Sequence, residues 1–106
     1  MKSLNPVDLN KLIDNGVEIA IIDIRESYER LICEIPNSDF IRMNQIIDNS
    51  ELLSKDKMTV IYCHHGIRSY MLIQHLEAKF GFKNLHNLEG GINRWAEQID
   101  NSLQRY

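Results

Sequence analysis

Long apolar runs are missing from this chain of 106 residues, and so is any excess of positive charge. No stretch approaches the ~20 consecutive apolar residues that span a bilayer, and the opening MKSLNPVDLN lacks the apolar core of a signal peptide. A soluble, cytoplasmic protein with no membrane partner is therefore expected. Lys and Arg number 12 against 15 Asp and Glu, a net charge of -3. That leaves no basic field of the kind nucleic-acid binding demands, so neither DNA nor RNA is an expected partner. Cysteine is scarce too: Cys33 and Cys63 cannot build a disulfide framework, and in a reducing compartment both are expected as free thiols. Internal repeats, low-complexity tracts and linkers are absent as well, and 43% apolar content fits one domain spanning residues 1–106.

What is present is organised by local pattern. In LNPVDLNKLIDNG, Asn5 offers a helix N-cap, Pro6 a first helical position and Gly16 a stop. Val7, Leu9, Leu12 and Ile13 fall roughly on one face, which predicts a first helix. VEIAIIDI is β-branched and apolar without alternation, as in a parallel-sheet strand covered on both faces. RESYERLI supports a short turn of helix at most. A brief strand is predicted at Phe40 to Met43, followed by helical spacing through Ile46, Ile47, Leu52 and Leu53. MTVIYC reads as another buried strand, RSYMLIQHLEAKFGF as a helix closed by Gly81, and KNLHNLEGG as a short strand with a Gly-Gly corner. INRWAEQID closes the chain as a helix, with Trp95 packing it on the sheet. Strands alternating with helices imply βα units, hence an α/β fold with a mainly parallel sheet flanked by helices. Such sheets carry their sites at the carboxyl ends of strands, and Cys63 lies at one.

The stretch YCHHGIRS, residues 62–69, concentrates the chemistry. A strand ending in Cys63, a five-residue loop and a helix beginning near Ser69 would aim loop amides and the unpaired N–H groups of the helix start at the sulfur. Arg68 adds a fixed positive charge, and helix N-termini and neighbouring cations favour a thiolate over a thiol. Gly66 permits the tight curvature. The loop reads as an anion cradle with a nucleophile at its base. A cysteine ending a buried strand is also a common small core residue. Arg68 and Ser69 at the helix entrance, of no use to a purely structural turn, favour the functional reading.

These residues carry a family resemblance over about Leu4 to Ile99: the chain resembles a single-domain rhodanese. IIDIRESYE is similar to the family's D-V/I-R-x-x-x-E strand and turn, EIPNS to its H-I-P-G-A segment, and VIYCHHGIRS to its C-x-x-G-x-R-S loop. LEAKFGFKNLHNLEGGINRW is similar to its tail, L-x-x-x-G-F/Y-x-x-V-x-x-L-x-G-G-x-x-x-W. The resemblance implies a three-layer rhodanese-like fold with about five strands. It also implies sulfur transfer, in which a sulfane sulfur from thiosulfate or a persulfide donor passes to Cys63 and on to a thiol or cyanide acceptor. A protein sulfur-relay partner is a further expectation. In that chemistry the amides of His64, His65, Gly66, Ile67, Arg68 and Ser69 would hold a terminal sulfur anion, while the Arg68 guanidinium orders the loop and tunes its potential. Thiolate attack on such a donor agrees with a cradled cysteine.

The match departs from the family at one turn, where G-H before I-P is replaced by Cys33 and Glu34, and the following G-A by Asn37 and Ser38. That bears on the packing of the turn rather than on the sulfur. Cys33 is either a resolving thiol or a plain buried substitution, and Glu34 is most simply a solvated carboxylate. Asp23 is expected to orient the cysteine loop by accepting its N–H groups, and Arg25 to pair with a carboxylate such as Glu29. His64 and His65 titrate near neutrality, so either side chain is a candidate for moving a proton or attracting an anionic donor, and equally for facing solvent. No cofactor is expected. Consecutive C-H-H lacks zinc-ligand separation, and His75 and His86 fall in a predicted helix and strand, so no metal is expected either. Two other functions remain in play: a cysteine phosphatase or arsenate reductase, whose C-x5-R ring is one residue larger than the one here, and a non-catalytic rhodanese-like binding module.

Overall fold

The computed structural model describes residues 2–106. Five strands, β1 (Lys2–Leu4), β2 (Ala20–Asp23), β3 (Asp39–Phe40), β4 (Thr59–Tyr62) and β5 (Leu85–Leu88), form one sheet of order β1-β5-β4-β2-β3. Every pairing is parallel, with Ile21 opposite Val60, Asp23 opposite Tyr62 and Val60 opposite His86. The helices are α1 (Pro6–Asp14), α2 (Ser27–Ile32), α3 (Met43–Asp48), α4 (Ile67–Phe80) and α5 (Gly91–Gln98), with a 3-10 turn at Ser50–Leu52. The expected parallel α/β sheet of about five strands between helices is therefore the observed architecture.

Alternation along the buried strands creates a core on each face of the sheet. Ile61 of β4 and Cys63, the residue just after that strand, point to one side, where they meet Ile46, Leu72, Ile73 and Leu76 of α3 and α4. Val60 and Tyr62 point to the other, where they meet Leu9, Ile92 and Trp95 of α1 and α5. Trp95 thus packs the last helix on the sheet, as predicted. The centre of the sheet is buried on both sides, which is why VEIAIIDI and MTVIYC read as continuous apolar runs.

The local signals act largely as read. Asn5 caps α1 by accepting from the Asp8 amide at 2.8 Å, with Pro6 in the first turn. The RESYERLI segment does better than a turn of helix, because Glu26 and Glu29 form a capping box that starts α2. The strand predicted at Phe40 to Met43 ends at Phe40, since Arg42 already serves as the N-cap of α3. β1 was not foreseen. Its three residues, KSL, hold no apolar pattern and are ordered as an edge strand by their ladder with β5.

The turn that departs from the family motif keeps its geometry by other means. Asn37, in place of glycine, adopts φ 66°, a left-handed conformation that asparagine tolerates better than most residues. Ser38 Oγ donates to the Ile35 carbonyl at 2.6 Å and lies 2.9 Å from both the Arg30 guanidinium and the Tyr62 hydroxyl. Glu34 is half-exposed but not simply solvated: it pairs with Arg30 one helical turn earlier.

Candidate active site

Cys63 leaves the carboxyl end of β4, four residues before α4 begins at Ile67. Helix α4 starts two residues earlier than predicted because Gly66, at φ 92°, serves as its N-cap without any side-chain bond. The chain therefore turns back sharply over the cysteine. The Gly66 amide donates to Cys63 Sγ at 3.2 Å and the Ser69 amide at 3.5 Å, while Ser69 Oγ lies 3.4 Å from the sulfur. The first intrahelical bond at this end runs from the Tyr70 amide to the Gly66 carbonyl. Amides of Ile67 and Arg68 thus have no earlier carbonyl within the helix to bond, and the positive end of the helix dipole faces the loop. Cys63 itself is only 1% exposed. Its sulfur belongs both to the hydrocarbon core beside Leu72 and to this cluster of donors.

A second glycine holds the loop from behind. Gly91, at φ 60°, sits so close that a Cβ there would lie 2.5 Å from the Cys63 carbonyl oxygen and nearer still to that of His64. Those two carbonyls accept from the amides of Ile92 and Asn93 at 3.0 Å each, so the start of α5 pins the start of the cysteine loop. This is the physical content of the Gly-Gly corner.

Arg68 does not reach into the loop. Its guanidinium makes a bidentate pair with Glu29, 2.8 Å on each arm. Burial pushes the Glu29 carboxyl upward, but the Arg68 bonds, the Glu26 amide and the Tyr106 hydroxyl outweigh it and hold the group at about 2. Glu29 thus offsets the charge of Arg68 at close range, and the groups that touch the sulfur are the Gly66 and Ser69 amides and the Ser69 hydroxyl.

Asp23 and Arg25 form a fully buried pair and correct two expectations. Asp23 accepts the backbone N, Nε and Nη2 of Arg25 at 3.0, 2.9 and 2.8 Å, and Arg30 at 3.2 Å, leaving nothing for the cysteine loop. Arg25 therefore pairs with Asp23, two residues away, and not with Glu29, which Arg68 occupies. Arg25 also donates to the Cys33 carbonyl at 2.6 Å and to the Tyr106 hydroxyl at 2.8 Å. The Tyr106 hydroxyl donates its own hydrogen bond to Glu29 at 2.9 Å, joining Asp23, Arg25, Tyr106, Glu29 and Arg68 in one network. Asp23 and burial together push the Tyr62 phenol beneath it up to about 12, burial being the larger effect.

The histidines divide. His64 stacks on Tyr106, ring centres 3.7 Å apart and planes within 7°, and touches His65 at 3.9 Å. Burial, then the neighbouring His65, lowers the proton affinity of His64. His65 is exposed and lines an open depression with Gly66, Ile67, Tyr70, Asn87 and Arg94. Cys33 and Cys63 are both free; Cys33 lines a small cleft under His64 and Tyr106. Among the described residues no cluster of three or more His, Cys, Asp or Glu is arranged to hold a metal ion, and no helix is long and apolar enough to cross a membrane.

Two residues of the site escaped the sequence reading. Asn87 lies on β5 opposite Ile61, on the same face as Leu85 two residues earlier, and its signal was a polar residue where the alternation calls for an apolar one. Tyr106 lies beyond the motif-bearing segment and carried no signal.

Comparison with known proteins adds the remaining observations. The family model of the rhodanese-like domain matches residues 5–98. YtwF of Bacillus subtilis, named as a sulfurtransferase, is 36% identical over 95 residues, covering 90% of each chain. A Coxiella burnetii protein named thiosulfate sulfurtransferase GlpE is 38% identical over 80 residues, 74% of this chain and 72% of that one. Mycobacterium tuberculosis MoeZ, named as an adenylyltransferase/sulfurtransferase, is 32% identical over 98% of this chain, which spans only 27% of its length. A crystal structure of a rhodanese-like domain protein from Staphylococcus aureus superposes with a TM-score of 0.83 at 31% identity, covering 100% of this chain and 99% of that one. With the parallel sheet, the glycine-pinned loop and these relatives together, the chain belongs to the rhodanese-like domain family.

Proposed function

We propose that the protein is a thiosulfate sulfurtransferase-like enzyme that carries sulfur as a persulfide on Cys63. The observation that carries this reading is the convergence of the Gly66 and Ser69 amides on Cys63 Sγ at the positive end of α4. Loss of the thiol proton to solvent leaves a thiolate. With thiosulfate as donor, that thiolate attacks the outer sulfur, forming an S–S bond as the bond to the sulfonate breaks and sulfite departs. Charge is conserved, since one thiolate and one dianion give one persulfide anion and one dianion. The terminal sulfur anion then takes up donors that the resting thiolate does not use, for which the amides of Ile67 and Arg68 are placed by helix geometry. Transfer to cyanide releases thiocyanate and regenerates the thiolate; transfer to a thiol produces a new persulfide.

In this reading Cys63 is the catalytic residue and the backbone of His64 to Ser69 is the anion cradle, while Asp23 and Arg25, bonded to each other, reach it only through Tyr106, Glu29 and Arg68. We place the reaction in the cytoplasm, a reducing compartment compatible with two free cysteines. The names of MoeZ and GlpE, an adenylyltransferase/sulfurtransferase and a thiosulfate sulfurtransferase, support sulfur transfer with thiosulfate as a donor; we take the acceptor to be cyanide or a thiol, including one on a partner protein. A phosphatase reading is disfavoured, because Arg68 is committed to Glu29 and is not turned toward the loop centre, where a phosphoryl group needs a bidentate partner.

Intact mass after thiosulfate, and again after cyanide, tests the proposal. Wild type is expected to gain one sulfur atom and lose it to cyanide, while Cys63→Ser gains none. Aryl phosphate hydrolysis without a sulfur adduct would reverse the assignment.

A further inference from the structure

Asn87 and Ser69 decide where one buried proton sits. Asn87 Nδ2 donates to the Gly66 carbonyl at 3.1 Å, which turns Oδ1 toward Ser69. Oδ1 carries no hydrogen, so its 2.5 Å separation from Ser69 Oγ assigns the hydroxyl proton to that bond. The Ser69 oxygen consequently presents a lone pair to Cys63 Sγ, 3.4 Å away. Cys63, Ser69 and Asn87 are 1%, 0% and 6% exposed, so water does not replace a partner lost among them.

The three states of the sulfur fare differently in this arrangement. As a thiol, Cys63 donates S–H to Ser69, which donates O–H to Asn87, and every group is satisfied. Once the thiol proton has left for solvent, the sulfur anion faces a lone pair. Ser69 can turn its hydrogen to the sulfur only by leaving Asn87 Oδ1 buried without a donor. In a persulfide the charge sits one S–S bond farther out, and the Ser69–Asn87 bond stays intact.

We propose that Asn87 is a positioning residue that withholds the Ser69 proton from Cys63 Sγ, so that the free thiolate is penalised and the persulfide is not. The empty protein then keeps a more nucleophilic sulfur, since the nucleophilicity of a thiolate rises with its basicity. The purpose assigned to this device rests on the sulfur-transfer reading; the proton placement rests on the hydrogen bonds alone.

Ultraviolet thiolate absorbance against pH tests it without any sulfur donor, in a Cys33→Ser background that leaves one thiol to titrate. Asn87→Leu, close in volume but without an acceptor, frees the Ser69 hydroxyl for the sulfur. Its proton affinity at Cys63 is expected to fall about three- to tenfold, the worth of one redirected hydrogen bond. A loop merely loosened by loss of the Asn87–Gly66 bond would shift it the opposite way, by withdrawing amides. In Ser69→Ala the same Asn87 substitution is expected to do nothing. Asn87→Ala provides the same comparison should the leucine variant not fold. An unchanged or raised proton affinity, or an equal shift with and without Ser69, would overturn the proposal. Persulfide formation by wild type in the face of such a result would leave the sulfur-transfer reading intact. The expected shift without any sulfur adduct would instead overturn that reading and preserve the proton placement.

Discussion

Glu29 shows how a single buried carboxylate can hold its charge by its partners and not by water. It is 2% exposed, yet two arms of Arg68, the Glu26 amide and the Tyr106 hydroxyl keep its proton affinity low. With a folded value of about 2 against an ordinary 4.5, it contributes stability that is complete above about pH 4.5 and is lost as pH falls toward 2. At ~1.4 kcal/mol per unit the shift corresponds to about 3 kcal/mol, which screening at the 38% exposed Arg68 side chain reduces to about 2 kcal/mol. Glu29→Gln is therefore expected to be less stable than wild type at pH 6 and to lose less stability between pH 5 and pH 2. Urea unfolding at those three values measures it; parallel acid slopes for the two proteins would contradict the assignment. His64 differs in sign of charge but not in consequence, because its lowered proton affinity means that acid weakens the fold below the ordinary imidazole range. At neutral pH that ring is an uncharged stacking partner of Tyr106 and offers no cation to an anionic donor.

At the scale of elements, what the sequence made legible was whatever could be stated as a local rule. β2 and β4 were visible in their β-branched runs, α1 in Asn5 and Pro6, and the nucleophile loop in the residue types between Cys63 and Ser69. β1 was not visible, because a three-residue edge strand is specified by its neighbour β5 and not by its own side chains. The partners of Asp23, Arg25 and Glu29 were equally hidden. Motif spacing indicates that an aspartate and two arginines matter, but which carboxylate meets which guanidinium depends on how α2 and α4 approach in space. The Gly-Gly corner lies between these cases: readable as a corner, unreadable as the surface that braces the cysteine loop. Gly91→Ala tests that brace. Strain at positive φ plus displacement of two carbonyl oxygens is expected to cost about 3 kcal/mol. Gly16→Ala has a similar φ of 72° with nothing within 4 Å, and should lose only about 1 kcal/mol. Thermal unfolding of the pair separates close approach from backbone strain, and equal losses would deny the brace.

Across the whole molecule, the chain beyond α5 returns to the carboxyl edge of the sheet and sets Tyr106 beside residues some eighty positions away in sequence. The family model stops at residue 98, so no motif could have pointed there. The phenol bridges Arg25 and Glu29, and its ring covers His64, thereby linking the buried Asp23–Arg25 pair beneath the sheet edge to the Arg68–Glu29 pair above it. Bond and stack make separable contributions. Tyr106→Phe keeps the stack and deprives the Arg25 Nη1 of its hydroxyl partner, leaving it only a 3.9 Å contact with Cys33 Sγ. Hydrogen bonds to charged groups contribute about 1.5–3 kcal/mol, and Tyr106 is 39% exposed, so a loss of about 1 kcal/mol is expected. Tyr106→Ala removes the stack as well and should lose about 1 kcal/mol more, within the range for an aromatic pair. Denaturant midpoints at constant slope measure both steps. If neither variant shifts its midpoint, the tail merely rests on the site and does not bind its two ion pairs into one unit.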